Sequence, residues 1–268
     1  MLNIQIRDMD LESHYYVSAC GHCNESDETD ACAKIRRDWL INMQKKGART
    51  KVAIVEDNPV GFIHLVPIGI STTGLIGQDL MVIPCLAVSR KWEDKRVGRA
   101  LITEAESEAR TQNKQGLVTI AYYGDFPFMP AGFFEKMGFK VITKRKVTAI
   151  GEQGLLDEEA LLWKVFQTPK EPPHFVESKY EFKPMQDKVV IDLFWDPFCL
   201  TSITEAQRVR EVVKEFEDKV VLNEYPADDR EIFLSFQIPR AIFVNGKEIG
   251  WGWAAPQEGI REAIEKVI

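Results

Sequence analysis

The chain has 268 residues, enough for one large domain or two ordinary ones, and its 45% hydrophobic residues can supply a real core. A net charge of −7 argues against broad binding to nucleic acids or anionic membranes. The chain starts without a signal-like apolar region, and no apolar run approaches the roughly 18 residues of a membrane helix. We therefore expect a cytoplasmic protein that does not enter a membrane, with its five cysteines reduced.

Apolar periodicity over residues 1–166 predicts an α/β domain. In chain order it predicts a strand at 3–7, a helix at 31–46, a hairpin at 51–56 and 61–67, a central strand at 80–89, a helix to about residue 112, a strand at 116–123, a short helix at 130–137 and final strands at 140–150 and 160–166. Residues 167–188 then place four prolines among charged side chains, which predicts an interdomain linker.

Residues 189–268 predict a second, smaller α/β domain. Its predicted elements are a strand at 189–195, a helix at 204–218, a strand at 220–224, a helix at 228–236, a hairpin at 241–244 and 247–250, and a closing helix at 257–268. The turn of that hairpin is Asn245-Gly246, which favours a tight connection.

The stretch 86–112 joins a buried strand to a helix through a basic turn. The helix carries an apolar stripe at fourfold spacing: Val97, Leu101, Ala105 and Ala109. Such a turn directs free backbone N–H groups and the positive end of the helix dipole at one place. Lys95, Arg96 and Arg99 add positive charge, and Gly98 permits close backbone approach. The pattern predicts an anion site that suits a pyrophosphate.

Two motifs here resemble the GNAT acyltransferases. Val88 and residues 97–101 match the family's acetyl-CoA motif, although Glu93 stands where Arg or Gln is usual and Arg96 where the first Gly is usual. Residues 133–139, Phe-Phe-Glu-Lys-Met-Gly-Phe, resemble the family's Phe-Tyr-Glu-Lys-x-Gly-Phe. The resemblance implies a mixed sheet, flanked by helices, that splays open to admit the pantetheine arm of acetyl-CoA.

The same resemblance implies which residues contact the co-substrate. They are Leu86, Ala87, Val88, Lys95, Arg96, Val97, Gly98, Arg99 and Ala100. Backbone groups of Leu86 and Val88 should pair with the pantetheine arm, and residues 95–100 should hold the pyrophosphate. The acceptor would then attack the thioester directly, which needs positioning and proton transfer from the protein.

The groups that would move protons are less defined. The family's usual general acid is a tyrosine, and this chain has Phe134 in its place. Tyr122, Tyr123 or water could protonate the departing CoA thiolate instead. For the general base the sequence offers His64 and Asp79, although a lone histidine on a strand is more often structural.

Four cysteines are candidates for the acceptor pocket. Cys20, Cys23 and Cys32 lie around the start of the helix that walls this pocket in the GNAT fold, and Cys85 lies on the strand opposite. We predict that they converge there, with Cys85 among the reactive groups and with Cys20, Cys23 and Cys32 able to bind a soft metal or metalloid ion. The alternative is that these thiols are independent, either buried as small hydrophobes or placed in a loop.

The C-terminal domain resembles thioredoxin. Trp195, Cys199 and Ile238-Pro239 fall where that family has its tryptophan, first active-site cysteine and cis-proline, and Ser202 stands at the second cysteine position. The resemblance implies a redox role for Cys199 in thiol exchange or in holding a thiol-bearing ligand, because a helix N-terminus stabilises a thiolate. The alternative is a docking or dimerisation role. Ser202 disfavours a thiol–disulfide reductase.

Together the two domains resemble the YoaP-like acetyltransferases. We predict an acetyl-CoA-dependent N-acetyltransferase acting on a small amine, with a thiol-rich acceptor pocket. The alternative, which Phe134 favours, is a non-catalytic module that senses acyl-CoA or a metal and recruits a partner through the second domain.

Overall fold

The computed structural model describes residues 2–10, 12–124, 128–146, 158–167, 169, 171–228, 230–251 and 254–268. Its N-terminal part contains β1 (Gln5–Asp8), α1 (His14–Ser18), α2 (Asp27–Lys45), β2 (Arg49–Val55), β3 (Asn58–Pro67), β4 (Leu75–Ile76), β5 (Leu80–Val82), β6 (Leu86–Val88), α3 (Val97–Thr111), β7 (Gly116–Tyr123), α4 (Ala131–Lys136), β8 (Lys140–Lys146) and β9 (Glu158–Val165). Its C-terminal part contains β10 (His174–Phe175), β11 (Val189–Trp195), α5 (Leu200–Val213), β12 (Val220–Pro226), α6 (Arg230–Phe236), β13 (Ala241–Val244), β14 (Lys247–Ile249) and α7 (Gln257–Glu265). Within these ranges, the structure has no helix with the length and apolar composition that crossing a membrane requires.

The N-terminal sheet opens in its middle. Its strand order is β1-β2-β3-β5-β7-β9-β8, with β6 attached to β3 alone. β5 pairs in parallel with β7 up to Val82 opposite Val118. Beyond that pair, β6 stays beside β3 while β7 continues beside β9. The sheet therefore splays between β6 and β7, and the predicted mixed, splayed α/β fold is confirmed.

Helix α3 covers one face of this sheet. The four residues of its predicted stripe are at most 1% exposed and pack in the central core. A buried lysine fixes the helix to the edge strands, since Lys51 Nζ lies 2.8 Å from Glu108 of α3 and 2.9 Å from Asp8 of β1. Burial alone would lower the pKa of Lys51, but these two carboxylates outweigh it and raise that pKa.

The C-terminal sheet has four strands in the order β12-β11-β13-β14. β11 and β12 are parallel and joined through α5, whereas β13 pairs antiparallel with both β11 and β14. Helices α5 and α7 pack on its core through Ala206, Val209, Ile260 and Ile264. No cis peptide bond occurs in the described part of the chain, so the Ile238–Pro239 bond is trans.

The segment predicted as a linker packs along both parts of the molecule. β10 pairs antiparallel with β4 of the N-terminal part. Further along, the Tyr180 ring stacks on Phe243 with centroids 4.1 Å apart, and its hydroxyl donates to Asp192 at 2.6 Å. Residues 174–180 are therefore held by contacts with both parts of the molecule and do not form a free tether.

Some predicted boundaries differ from the structure. Helix α2 begins at Asp27, before the predicted start, because the Ser26 hydroxyl accepts a hydrogen bond from the Thr29 amide at 3.1 Å and caps it. Helix α5 begins at Leu200 and not at 204. The short helix α1 was not predicted. Residues 147–150 of the predicted strand 140–150 lie outside the described residues.

A buried arginine joins the two parts. Arg36 of α2 is 1% exposed, and its Nε donates to the Phe198 carbonyl at 2.6 Å. Its terminal nitrogens donate to the carbonyls of Val17 and Ser18 and to His64 Nε2. Because Phe198 belongs to the turn before α5, one side chain ties the C-terminal part to α1 and β3.

A buried carboxyl group lies at the same boundary. Asp196 is 5% exposed, and it accepts hydrogen bonds from the Thr72 hydroxyl at 3.1 Å and from the Phe198 amide at 2.8 Å. Burial raises the pKa of Asp196 from 3.8 to about 7. The folded chain therefore holds this proton more tightly than the unfolded chain does.

This pKa shift predicts a pH-dependent stability. The contribution of Asp196 is fully present below pH 3.8 and is lost as the pH rises through about 7. Asp196→Asn keeps the buried acceptor without the charge. We expect the wild type to lose about 2 kcal/mol of unfolding free energy relative to this variant between pH 5.5 and pH 8, measured by urea denaturation. Asp218→Asn, at an exposed position, should show no such difference. An unchanged gap between wild type and Asp196→Asn at the two pH values would refute the shift.

Candidate functional site

The edge of β6 that faces the splay carries free backbone groups. His64 N donates to the Cys85 carbonyl and Ser89 N to the Val60 carbonyl, so residues 85, 87 and 89 form the hydrogen-bonded pairs with β3. Backbone groups of Leu86 and Val88 therefore point away from β3 and into the splay, as predicted for a pantetheine arm. The Ala87 backbone, which we had also assigned to the co-substrate, faces β3.

The amide of Leu86 has a weak partner in this cleft. It donates to the Met129 sulfur at 3.1 Å. A thioether is a poor hydrogen-bond acceptor. A ligand oxygen can therefore replace the Met129 sulfur as the partner of this N–H group with little loss of free energy. Leu86 is thus a donor directed at the middle of the cleft.

The basic turn after β6 leads to the first turn of α3. Within the described chain, the amides of Val97, Gly98 and Arg99 donate to no protein group, and the first helical bond runs from Ala100 N to the Arg96 carbonyl at 3.0 Å. The side chains of Lys95, Arg96 and Arg99 are exposed around these amides. This arrangement of amides, helix dipole and positive charge can hold a pyrophosphate.

The structure explains the backbone conformation of one residue of this turn and the small size of another, which the sequence did not reveal. Arg96 adopts φ 68°, the left-handed conformation that explains why glycine is usual at this position. At Gly98, a Cβ atom would lie 3.0 Å from the Phe133 ring. Gly98 therefore permits close packing of α3 against α4, in addition to any approach of a ligand.

The second motif lies in the core beneath the cleft. Phe134 is 0% exposed and packs edge-to-face against Phe133 and Phe139, with centroids 5.2 and 5.3 Å away. Its side chain has no hydroxyl that could donate a proton, and it is enclosed by hydrophobic side chains. Phe134 thus stabilises the core and is not a substitute for the usual tyrosine.

Tyr122 stands at the end of β7, where the sheet opens. Its amide donates to the Met129 carbonyl at 3.0 Å, and Glu159 lies opposite it on β9. Burial and then the charge of Glu159 raise the pKa of Tyr122, so its hydroxyl stays protonated at neutral pH. The Tyr122 ring lies 6.2 Å from that of Phe128, and Phe128 and Cys199 pack on the same cluster, so a C-terminal residue borders this end of the cleft.

Neither predicted general base is suited to that role. His64 is buried, its Nε2 accepts from Arg36 at 2.8 Å and its Nδ1 bonds the Thr50 hydroxyl at 2.8 Å. Burial and the Arg36 charge lower the pKa of His64 and keep it neutral. Asp79 is exposed at the opposite end of the central strand, about 20 Å from Leu86 by strand geometry.

The predicted thiols form a looser group than expected. Cys85 is buried, and Cys20 packs in the same cluster, as does Cys199 of the C-terminal part. Cys32 is buried at the contact with α5, where its thiol donates to Gln207 at 3.1 Å. Among the described residues, no group of three or more His, Cys, Asp or Glu side chains could hold a metal ion. The predicted metal site at Cys20, Cys23 and Cys32 is therefore not supported.

Two residues of this region could not have been found from local patterns. Arg36 and Glu159 come from distant segments and reach the neighbourhood of the cleft only through the fold. The alternation of β9 would have pointed to Glu159 only if its register with β7 had been known.

Comparison with known proteins agrees with this geometry. Residues 46–141 match the family model described as acetyltransferase (GNAT) domain. The chain is similar to the crystal structure of ribosomal-protein-alanine N-acetyltransferase from Brucella melitensis, at 19% identity and a TM-score of 0.48, covering 60% of this chain and 99% of that one. It is also similar to an acetyltransferase of the GNAT family from Streptococcus pneumoniae, at 13% identity and a TM-score of 0.46, covering 61% of this chain and 100% of that one.

No curated protein matches the chain. The family match spans β2, β3, the cleft strand β6 and the helices α3 and α4, which are the elements that build the splay and its anion-binding turn. Residues 46–141 therefore match a GNAT acetyltransferase domain, which supports acyltransferase activity.

Proposed function

We propose that this protein transfers the acetyl group of acetyl-CoA to the amine of a small acceptor. The observation that carries the proposal is the pair of Leu86 and Val88 backbones facing the splay, in line with the free amides of α3. A strand edge followed by a helix N-terminus matches a ligand with an amide-bearing arm and a pyrophosphate. This fit also supports acetyl-CoA over a metal as the ligand of the cleft.

In the proposed reaction, different residues of the cleft stabilise the oxyanion and protonate the leaving group. Acetyl-CoA, when bound, supplies the acyl group as a thioester. The Leu86 amide is placed to donate to the carbonyl oxygen, where negative charge develops during attack by an amine. Tyr122 keeps its proton and can donate it to the departing thiolate.

The C-terminal part borders the acceptor side of this cleft. We assign it a thioredoxin-like fold, which the parallel β11–α5–β12 unit and the following β13–β14 hairpin support. Cys20, Cys85 and Cys199 pack in one cluster with Phe128, whose ring lies 6.2 Å from that of Tyr122, so the acceptor would meet thiols from both parts. Cytoplasmic location and dimerisation stay predictions.

The first test is turnover with acetyl-CoA and a panel of amines, followed by chromatography of released CoA. We expect release with at least one amine. Val88→Pro removes a splay-facing amide and should weaken acetyl-CoA binding about tenfold, the effect of one hydrogen bond. Ala87→Pro, which breaks the pairing with β3, should instead lower stability. Absence of acetyl-CoA binding by the wild type in calorimetry would reject the proposal, and binding without turnover would favour a sensing module.

Tyr122→Phe tests the proton donor. It should lower kcat about 100-fold with little change in KM for acetyl-CoA, because general-acid catalysis acts in the transition state. The matched control is Tyr123→Phe, since the Tyr123 hydroxyl donates to Glu135 at 2.9 Å on the surface. Equal kcat values for Tyr122→Phe and the wild type would show that another group or water supplies the proton.

Arg96→Gly tests the strained turn. Glycine adopts φ 68° without steric cost, so this variant should unfold with about 1 kcal/mol more free energy than the wild type. Arg99→Gly, inside α3, should lose a similar amount because glycine disfavours a helix. Urea denaturation of both variants measures the difference, and an Arg96→Gly variant less stable than the wild type would contradict the assignment of strain.

A further inference from the structure

Two thiols from opposite ends of the chain meet at the N-terminus of α5. Cys199 is the residue that precedes Leu200 at the start of this helix. Cys20, which follows α1, packs against Leu200 and Ile203 of this helix, and it borders the same hydrophobic cluster as Cys199. Both cysteines are partly exposed. The two thiols thus lie in one cluster at the boundary between the N-terminal and C-terminal parts.

Ser202, which stands at the second cysteine position of the thioredoxin-like pattern, has a structural role. Ser202 is 1% exposed, and its hydroxyl accepts a hydrogen bond from the Asp196 amide at 2.9 Å. It fixes the turn before α5 and contributes no sulfur. A second thiol for Cys199 must therefore come from outside its own helix, and Cys20 is in that place.

The third nearby thiol is less suited to this role. Cys85 is buried, and burial raises its pKa strongly despite the opposing charge of Arg36. Burial also raises the pKa of Cys20, while Arg36 and the Leu200 amide lower it in part. Cys199 is partly exposed at the N-terminus of α5, so an incoming disulfide can reach it.

We propose that Cys20 and Cys199 form one dithiol site, built across the two parts of the chain, that reduces small-molecule disulfides. The Cys199 thiolate attacks one sulfur of the substrate, a mixed disulfide forms and the first substrate thiolate leaves. Cys20, after losing its proton to solvent, attacks the Cys199 sulfur, and the second substrate thiolate leaves. The protein dithiol is oxidised to one disulfide, and the substrate disulfide is reduced to two thiols that take up the two protons.

The test of this site does not depend on acetyl transfer. It needs no acetyl-CoA and none of the cleft amides, and its readout is the covalent state of the cysteines. Failure of acetyl transfer and failure of thiol exchange are therefore separate results.

The test uses full-length protein carrying Cys23→Ser, since Cys23 is the other partly exposed thiol. The reduced protein is mixed with glutathione disulfide, quenched with acid, and studied by intact mass and by peptide mapping without reduction. Cys20→Ser, Cys199→Ser and Cys85→Ser are each added to this background, with Cys85→Ser as the matched control.

We expect the Cys23→Ser protein to release two glutathione molecules, to retain none and to give a peptide linking Cys20 to Cys199. Adding Cys20→Ser should trap one glutathione on Cys199, and adding Cys199→Ser should slow the reaction at least tenfold. The Cys85→Ser control should behave like the background protein. Circular dichroism checks folding, and if Cys20→Ser does not fold, the linked peptide alone decides.

Three results would overturn the proposal. The first is a Cys23→Ser protein that keeps bound glutathione as long as the Cys20→Ser variant does. The second is a peptide map without the link between residues 20 and 199. The third is folded protein that is inert to glutathione disulfide although its thiols react in denaturant.

Discussion

The arrangement of the site depends on one buried guanidinium group. Arg36 has no carboxylate partner among its described contacts, and its charge is stabilised by the carbonyls of Val17, Ser18 and Phe198 and by the His64 ring. A charge buried in this way is tolerated only when its donors are matched by acceptors. The positions of α1, β3 and the turn before α5 are therefore set together, because each supplies acceptors for the same side chain.

This constraint explains why the predicted histidine is structural. His64 gives the lone pair of Nε2 to Arg36, and the bond from Nδ1 to Thr50 completes its ring contacts. A ring that is fully hydrogen-bonded and held neutral has no free site for a substrate proton. The proposed oxyanion stabilisation and proton transfer therefore rest on two groups at the splay, the Leu86 amide and the Tyr122 hydroxyl.

Features that depend on residues close together in sequence could be predicted, whereas contacts between distant segments could not. The apolar stripe of α3 depends on local periodicity and could be predicted, whereas the cleft edge at Leu86 and Val88 was implied by the resemblance to the GNAT family. The strand register that places Glu159 beside Tyr122 depends on residues far apart in sequence, as do the contacts of Arg36. The segment 167–188 is predicted as a linker because its four prolines stand among charged residues, and this pattern does not reveal the stacking of Tyr180 on Phe243. The thiols were grouped by spacing, whereas the structure brings Cys20 toward Cys199.

The boundary between the two parts is where the proposed acceptor side of the cleft meets the cysteine cluster. Phe134 has no hydroxyl where the second motif usually has one, and the ring of Tyr122, the proposed proton donor, lies 6.2 Å from that of Phe128. Phe128 and Cys199 border the same cluster, and Cys199 follows Phe198, whose carbonyl is bound by Arg36. The contacts of Arg36 therefore fix the turn that brings the C-terminal part against the cleft.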